Sequence, residues 1–164
     1  MGGCLSIYPE SERGEGMRIP HIALVHPIRQ NEDGWEFLLL KRTEETGGFW
    51  QGVTGSLGEG ETLIECAKRE LLEETSYIPQ FIYLTEESYK LPIKEKSLHL
   101  FPEGTTEWTE FLFIARIEQQ EDPTIRINEH VAWKWCNFEE AYELLHWPNN
   151  KDALKKVYEF LTDE

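Results

Sequence analysis

Six glutamates lie within residues 55–77, the segment GSLGEGETLIECAKRELLEETSY. Residues on a helix advance by about 100° each, so positions three or four apart share a face. Glu70 and Glu74 therefore fall on or beside the apolar stripe of this segment, and Glu73 lies one step further round. The predicted stripe, which would face the core, consists of Leu63, Ile64, Ala67 and Leu71. The pattern predicts a helix that turns three carboxylates towards the protein.

Carboxylates that face the protein need positive charge beside them. Like charges three or four residues apart oppose each other by a few tenths of a kcal/mol, and burial makes an unpaired charge far more costly. Arg69 lies four residues from both Glu65 and Glu73, so its guanidinium compensates part of the charge. The negative charge that Arg69 does not compensate favours a hard divalent cation, which takes oxygen ligands and can bind a phosphate-bearing substrate. The alternative is a glutamate-rich helix whose charges are solvated.

The chain before the helix is rich in glycine, which favours a ligand site over a solvated surface. A backbone with so many glycines turns tightly or approaches a ligand closely. Its amide and carbonyl groups are then available to a metal ion or a phosphate. The glycines are Gly47, Gly48, Gly52, Gly55, Gly58 and Gly60.

The order of these residues resembles a known signature. Gly55, five residues, Glu61, seven residues and then RELLEE, residues 69–74, resembles the signature of the Nudix hydrolases. That resemblance implies an α/β (α+β) fold, a Nudix-type α/β/α sandwich with a mixed β-sheet and a loop-helix-loop signature. The chain differs at Ser76 and Tyr77, where the signature has glycine and an aliphatic residue. Glycine is the usual residue for a left-handed helix exit, so the end of this helix is the open question.

The resemblance also implies a metal site. Glu70 and Glu74 would bind Mg2+, with Mn2+ as the alternative ion, and the Gly55 carbonyl would be a further ligand. Glu73 would complete the metal shell or orient the attacking water. These carboxylates and the cation would together serve hydrolysis of a phosphoanhydride bond.

Other residues receive catalytic or positioning roles by the same resemblance. Arg69 and Glu61 would hold the helix and the loop in register. In this family a carboxylate outside the signature often binds metal or acts as the base. Glu129, just before a predicted strand, is favoured for that role over Glu110, which opens another strand.

The residues that would bind substrate are less sharply defined. In this family the basic end of the second strand often lies near the phosphates, which makes Lys41 and Arg42 candidates. Glu110 is a further candidate. Among aromatic residues, Trp50, Phe101 and Trp108 could stack on a flat ring, and the alternative is that each belongs to the core.

Segments outside the signature are similar to those of dihydroneopterin triphosphate pyrophosphatases, which also hydrolyse dNTPs. The similar segments are residues 49–51, 53–56, 129–135 and 147–150. The implied activity is Mg2+-dependent release of pyrophosphate from a pterin or nucleoside triphosphate. One alternative is a dinucleoside polyphosphate hydrolase, although the proline-rich entry usual in that group is absent here. Another is an inactive Nudix-like binding module, although such modules typically lose signature glutamates and this chain keeps all four.

Composition bounds the number of domains and the partners of the chain. A chain of 164 residues predicts one domain, which we place at residues 17–164 after an extension of residues 1–16. The net charge of -15 argues against nucleic-acid duplexes and anionic membranes as partners. Mg2+ and nearby basic residues would offset the repulsion of a polyphosphate. Candidates for the basic residues are Arg42, Lys90, Lys94, Lys96 and Lys134.

The cysteines and the first residues bear on the location of the protein. Cys4, Cys66 and Cys136 show no metal-binding spacing, which predicts free thiols in a reducing, cytoplasmic compartment. Cys66 is expected to pack in the core rather than act as a nucleophile. The opening MGGCLS matches an N-myristoylation pattern at Gly2, but an ordinary extension is favoured over a membrane tether. The sequence leaves the oligomeric state open.

Hydrophobic patterns predict strands on both sides of the helix and two helices at the end. Asn137 is the expected cap of the first closing helix, and Asn149 or Asn150 that of the second. The second helix carries an apolar stripe. Predicted strands are residues 21–28, 35–42, 78–89, 110–117 and 130–136, with a loop at 90–104 and helices at 138–145 and from about 150 to 161. The stripe consists of Ala153, Leu154, Val157 and Leu161.

Overall fold

The computed structural model describes residues 17–163, so the predictions for Gly2, Cys4 and the extension 1–16 lie outside it. The strands are β1 (His21–Asn31), β2 (Gly34–Arg42), β3 (Trp50–Gln51), β4 (Val53–Ser56), β5 (Phe81–Pro92), β6 (Glu107–Arg116) and β7 (His130–Cys136). The α-helices are α1 (Leu63–Thr75), α2 (Phe138–Leu144) and α3 (Pro148–Thr162), and short 3-10 helices span Glu44–Thr46 and Glu95–Leu100. No helix within residues 17–163 combines the length and apolar character needed to cross a membrane.

The strands form one mixed sheet with the order β3-β2-β1-β6-β5, and β4 and β7 pair with β1 and β2 respectively. β1 and β6 run parallel, and the other pairs are antiparallel. Along one edge of β1, its first half pairs with β4 and its second half with β2. The chain that carries Gly55 is therefore hydrogen-bonded to the centre of the sheet.

The two faces of the sheet are covered by different helices. Ala23 and Val25 of β1 point into a core that includes Ala67 and Leu71 of α1. Leu24, between them, points into a second core formed with α2 and α3. Alternate strand residues point to opposite faces, so α1 lies on one side of the sheet and α2 and α3 on the other. The predicted α/β/α sandwich is confirmed.

The ends of α1 are both well defined. Thr62 caps the start through a capping box, in which its side chain and that of Glu65 each accept a backbone hydrogen bond from the other. At the end, Ser76 adopts the left-handed conformation with a φ of 70°. Tyr77 is buried, and its hydroxyl donates to the Glu121 carbonyl at 2.7 Å. The helix exit is left-handed even though glycine is replaced by serine.

Some predicted details are wrong. Ile64, assigned to the apolar stripe, is 40% exposed, whereas Cys66 is completely buried. The segment 90–104 is only partly a loop, since β5 continues to Pro92 and a 3-10 helix follows. α3 is not capped by Asn149 or Asn150: it begins at Pro148, whose fixed φ suits the first position of a helix.

The predicted cap of α2 and the predicted stripe of α3 are correct. The Asn137 side chain accepts a hydrogen bond from the Glu140 amide at 2.8 Å. Ala153, Leu154 and Val157 are completely buried in the core beneath α2 and α3. The apolar stripe packs α3 into the core on this side of the sheet.

Candidate active site

Arg69 lies at the centre of the carboxylate cluster, the name used here for Glu61, Glu70, Glu73 and Glu74. Its guanidinium binds both oxygens of Glu61, at 2.6 and 2.9 Å. Nη1 also contacts Glu70 at 2.8 Å and Glu73 at 3.4 Å. A bidentate pair of this kind fixes orientation as well as charge. Three of the four carboxylates are thereby held by one side chain.

Arg69 and Glu61 also connect helix α1 to the glycine-rich loop. Glu61 accepts a hydrogen bond from the Gly58 amide at 2.8 Å, and Arg69 Nη2 donates to the Ser56 carbonyl at 3.3 Å. The Glu65 carboxylate, which lies four residues before Arg69, accepts from the Thr62 amide in the capping box. The loop and the helix are thus linked at the two residues that the sequence singled out for this purpose.

Gly55 leaves the space that Glu70 occupies. A Cβ atom added at Gly55 would lie 1.9 Å from Cδ of Glu70, so only glycine permits this approach. Glu70 is 2% exposed. The Gly55 carbonyl accepts a weak hydrogen bond from the Cys66 thiol at 3.7 Å. Burial raises the pKa of the Cys66 thiol to about 12, which keeps it neutral and agrees with a packing role.

Glu74 is the least compensated member of the cluster. It is 3% exposed, and within the part of the chain that the structure describes its Oε1 atom has no hydrogen-bond partner. Burial, followed by the charge of Glu70, raises the pKa of Glu74 well above its ordinary value. His130 Nε2 lies 3.9 Å from Oε1. Burial and then the charge of Arg42 lower the pKa of His130 to about 4, so at neutral pH this ring supplies no positive charge.

These groups fit a hard divalent cation. Glu74 has an orphaned buried oxygen, Glu70 lies against the Gly55 backbone, and carboxylate and carbonyl oxygens are the ligands that Mg2+ prefers. The ligands are not arranged as a complete cage: across residues 17–163, no three histidine, cysteine or acidic side chains converge on one point. In this arrangement Arg69 contacts the carboxylates of Glu70 and Glu73.

The structure separates the two carboxylates that competed for a role outside the signature. The charge of Glu129 acts on Glu74 and contributes to the raised pKa of that group. The Glu129 side chain is 18% exposed, and its backbone carbonyl accepts from the Thr43 amide at 3.3 Å. Glu110 instead lines a cavity. Glu129 is thus the one of the two that acts electrostatically on the carboxylate cluster.

The cavity has a volume of about 330 Å³ and is bounded by strands β2 to β6, the segment after β5 and the start of α3. Its walls combine apolar, aromatic and polar side chains, which is typical of a small-molecule site. The lining residues are Arg42, Phe49, Gln51, Thr54, Leu91, Pro92, Lys94, Glu110, Trp147, Asn149 and Asn150. Of the five basic residues considered from the sequence, Arg42 and Lys94 reach it.

Glu110 lies at a position of β6 where the alternation of inward and outward residues predicts a core residue. In β6 it shares a face with Trp108 and Leu112, both buried, and is itself only 3% exposed. Asn149 Nδ2 donates to Glu110 Oε1 at 3.2 Å. Burial raises the pKa of Glu110 to about 7, against the opposing effect of the Asn149 hydrogen bond.

Arg42 connects the cavity with the carboxylate cluster. It lines the cavity, is 7% exposed, and its Nε donates to Thr46 Oγ1 at 3.2 Å. Its charge also partly opposes the rise in the pKa of Glu74 and adds to the lowering of the pKa of His130. A ligand in the cavity would therefore have a fixed positive charge on the side of the cluster.

The aromatic residues of the cavity differ from those predicted. Phe101 and Trp108 are 2% and 1% exposed and pack edge to face at 5.1 Å, so they are core residues and cannot stack on a ligand. Trp50 packs against the core beneath α2 and α3 and does not line the cavity. Phe49 and Trp147 line it instead, with their ring centroids 5.7 Å apart.

The cavity also differs from the prediction at one basic residue and at two aromatic residues. Lys41, adjacent to Arg42, pairs with Ala132 in the sheet and does not line the cavity. Phe49 and Trp147 were missed as ligand-facing residues, although both belong to segments with a family resemblance. Only the folded chain brings them together.

Comparisons with known proteins identify the family and support the fold. The family model described as NUDIX domain matches residues 19–157. Dihydroneopterin triphosphate diphosphatase of Escherichia coli is 30% identical over 129 residues, which cover 76% of this chain and 84% of that protein. The solved structure of the E. coli dihydroneopterin triphosphate pyrophosphohydrolase superposes with a TM-score of 0.67 at 26% identity, covering 87% of this chain and 97% of that one.

A second kind of relative is also similar. The asymmetrical bis(5'-nucleosyl)-tetraphosphatase of Caenorhabditis elegans is 25% identical over 126 residues, covering 77% of this chain and 85% of that protein. The chain is therefore similar to proteins that are named for different substrates.

Proposed function

The chain belongs to the NUDIX domain family and is a Nudix hydrolase, and from this premise we propose that it releases pyrophosphate from a pterin or nucleoside triphosphate. Mg2+, or alternatively Mn2+, is the proposed cofactor. Dihydroneopterin triphosphate and dNTPs are the proposed substrates. The similarity to the E. coli enzyme supports this choice.

The observation that carries the proposal is the buried, unpartnered oxygen of Glu74 beside Glu70. An acidic group in this position is costly without a cation. Arg42, whose charge acts on Glu74, lines the cavity, and the cavity is large enough for a small ring system. A triphosphate that spans the two would place its ring in the cavity and its phosphates at the cluster.

The residues then divide the chemistry between them. Glu70, Glu74 and the Gly55 carbonyl would hold the cation, with Glu73 completing the site or orienting the water. A bound divalent cation supplies neutralisation of phosphate charge and a more acidic water. Glu129 would accept the proton of the attacking water. The base must lie within hydrogen-bond reach of that water in the substrate complex.

Residues outside the metal site would position the catalytic loop and the substrate. Arg69 and Glu61 would keep the helix and the loop in register, as their bidentate contact supports. Arg42 and Lys94 would contact phosphate oxygens, and Phe49 and Trp147 would flank the ring. Neither Lys41 nor Trp50 has a part in this proposal.

The alternative substrate is a dinucleoside polyphosphate, favoured by the similarity to the C. elegans tetraphosphatase. Residues 47–60, the entry to the signature, contain no proline, unlike the usual entry in that group. An inactive binding module is disfavoured because all four signature glutamates are present. The pyrophosphatase is therefore the function that we prefer.

A substrate panel with Mg2+ tests this function. Dihydroneopterin triphosphate, the four dNTPs and diadenosine tetraphosphate are each incubated with enzyme, and released pyrophosphate and phosphate are measured separately. We expect pyrophosphate from dihydroneopterin triphosphate or a dNTP. Preference for diadenosine tetraphosphate, or release of phosphate alone, would overturn the proposal.

A further inference from the structure

We propose that Glu110 selects substrates whose ring presents two adjacent N–H donors, as the 2-amino-4-oxopyrimidine edge of guanine and pterins does. Asn149 would hold the carboxylate in place. This inference rests on the proposed function and specifies the ring that the same enzyme accepts. It assigns to Glu110 a role in ring selection, distinct from metal binding or proton transfer.

Glu110 lies at a position of the sheet where an apolar residue is expected. It stands between Trp108 and Leu112 on a face of β6 that is otherwise apolar and buried. Burying a carboxylate there costs free energy unless hydrogen-bond donors surround it. An apolar residue would fill this place without that cost. Hydrogen-bond donors on a bound ligand would offset the free energy of burying this carboxylate.

The Glu110 carboxylate also has hydrogen-bonding capacity to offer a ligand. Above about pH 7, where Glu110 is ionised, its carboxylate accepts at about four positions and donates none. The hydrogen bond that the structure shows for this side chain is that from Asn149 to Oε1. Since Glu110 lines the cavity, its remaining acceptor capacity is available to a ligand there.

The cavity walls near Glu110 are largely aromatic and apolar. Phe49 and Trp147 offer flat aromatic surface, and Leu91 and Pro92 offer apolar surface. A planar ring suits such walls, which bury its faces and leave its edge to be read by polar groups. Glu110 is the one acidic side chain among the described residues that line this cavity.

The chemistry of ring edges then determines the choice. Two adjacent N–H groups can donate in parallel to the two oxygens of a carboxylate, as an arginine does. The corresponding edge of adenine presents a ring nitrogen lone pair beside its amine, and that of thymine presents one N–H between two carbonyls. Either would place a lone pair against the carboxylate. Guanine and pterin rings share the favourable edge.

The test compares dGTP with dITP, which lacks the 2-amino group and is otherwise the same. For the wild type we expect kcat/KM to favour dGTP by about tenfold, the size expected for one well-placed specific contact. In Glu110→Gln the two values should agree within about threefold, because the amide opposes one donor with its own N–H. Glu107→Gln, on the exposed end of the same strand, should keep the preference.

Two results would overturn the inference: equal kcat/KM for dGTP and dITP in the wild type, or a tenfold preference that survives in Glu110→Gln. The wild-type comparison needs no variant, so it stands even if Glu110→Gln fails to fold. Thermal unfolding of both variants identifies that case.

Binding measurements separate this inference from the proposed function. Calorimetric titration with dGTP and dITP in EDTA reports ring selection without turnover. Tighter binding of dGTP, lost in Glu110→Gln, supports the inference even if the enzyme hydrolyses neither nucleotide and the proposed function fails. Normal turnover with equal affinity for both nucleotides would overturn the inference alone.

Discussion

Glu74 and Glu110 are both almost completely buried, and the pKa of each is raised by burial. Their surroundings differ. Glu74 stands beside Glu70 and Glu129, so further negative charge adds to its raised pKa. Glu110 has the Asn149 amide as its neighbour and lines a cavity with aromatic and apolar walls.

The difference indicates what each carboxylate needs from a ligand. A group crowded by like charge is best relieved by a cation. A single carboxylate in an apolar wall is relieved by hydrogen-bond donors. We therefore assign chemistry to the carboxylate cluster and ring selection to the cavity, with Arg42 lying between them.

The largest effect should come from Glu74→Gln. We expect loss of turnover by roughly a thousandfold, since a metal site contributes several kcal/mol to the transition state. The thermal unfolding midpoint should not fall, because a costly buried acid is replaced by a neutral amide. Turnover is measured as pyrophosphate release with Mg2+.

Glu59→Gln is the matched control for that substitution. Glu59 lies in the glycine-rich loop and is exposed. Its change should leave turnover within about twofold, since isolated surface charges contribute little. Normal turnover in Glu74→Gln would remove the cluster from the mechanism.

Gly55→Ala should damage the cluster through its packing. The new methyl group would overlap Glu70, so we expect the free energy of unfolding to fall by about 2 kcal/mol or more. Gly60→Ala is the comparison: nothing lies within 4 Å of its added Cβ, but its φ is 76°. That variant should lose only about 1 kcal/mol from backbone strain. Urea denaturation measures both, and equal losses would contradict the close approach of Glu70 to Gly55.

Glu110→Gln should raise stability at alkaline pH while it removes ring selection. Between about pH 4.5 and 7 the folded state keeps a proton on Glu110 that the unfolded state has lost, so rising pH lowers the free energy of unfolding. The free energy of unfolding of the variant does not show this fall, because glutamine does not titrate. It should exceed that of the wild type by roughly 3 kcal/mol at pH 8 and match it near pH 4.5.

Other titrating groups near Glu110 define the control for that measurement. Tyr89 of β5 lies opposite Glu110 in the sheet and donates to Asp152 of α3 at 2.7 Å. Arg42 and Lys94 carry the positive charges of the cavity wall. Glu107→Gln leaves all of these in place, so its stability should follow the wild type at both pH values. A gain in that variant, or none in Glu110→Gln, would contradict a costly carboxylate in the cavity.

The smallest effect concerns the end of α1, which belongs to neither region. Ser76→Gly should stabilise the protein by about 0.5 kcal/mol, because serine bears the strain of a left-handed conformation that glycine adopts freely. Ser76→Ala should bring no such gain, since alanine keeps the Cβ atom. Turnover should be unchanged in both, and a gain from alanine would place the strain elsewhere.

The carboxylate cluster could be predicted because it is local in sequence. Residues 61–74 lie on one loop and one helix, so helical spacing alone brings Arg69, Glu70 and Glu73 together. The space at Gly55 for Glu70 was not visible in this way. Neither was the exposure of Ile64, since the sheet meets α1 nearer Cys66.

The cavity could not be assembled from the sequence, because its walls come from distant parts of the chain. Phe49, Glu110 and Asn149 meet only after the sheet and α3 have formed. Trp108 and Phe101 were predicted to stack on a ring because they are aromatic, but tertiary packing places them in the core. The sequence feature that could have indicated the cavity was an acidic residue, Glu110, at a core-facing position of β6.

Binding of Mn2+, followed by electron paramagnetic resonance, tests the division between the two regions most directly. The wild type, Glu74→Gln and Glu110→Gln are titrated without nucleotide, so neither turnover nor ring selection enters the result. We predict that Glu74→Gln weakens Mn2+ binding at least about tenfold, whereas Glu110→Gln stays within about twofold of the wild type. Unchanged binding in Glu74→Gln, or an equal loss in Glu110→Gln, would contradict the account.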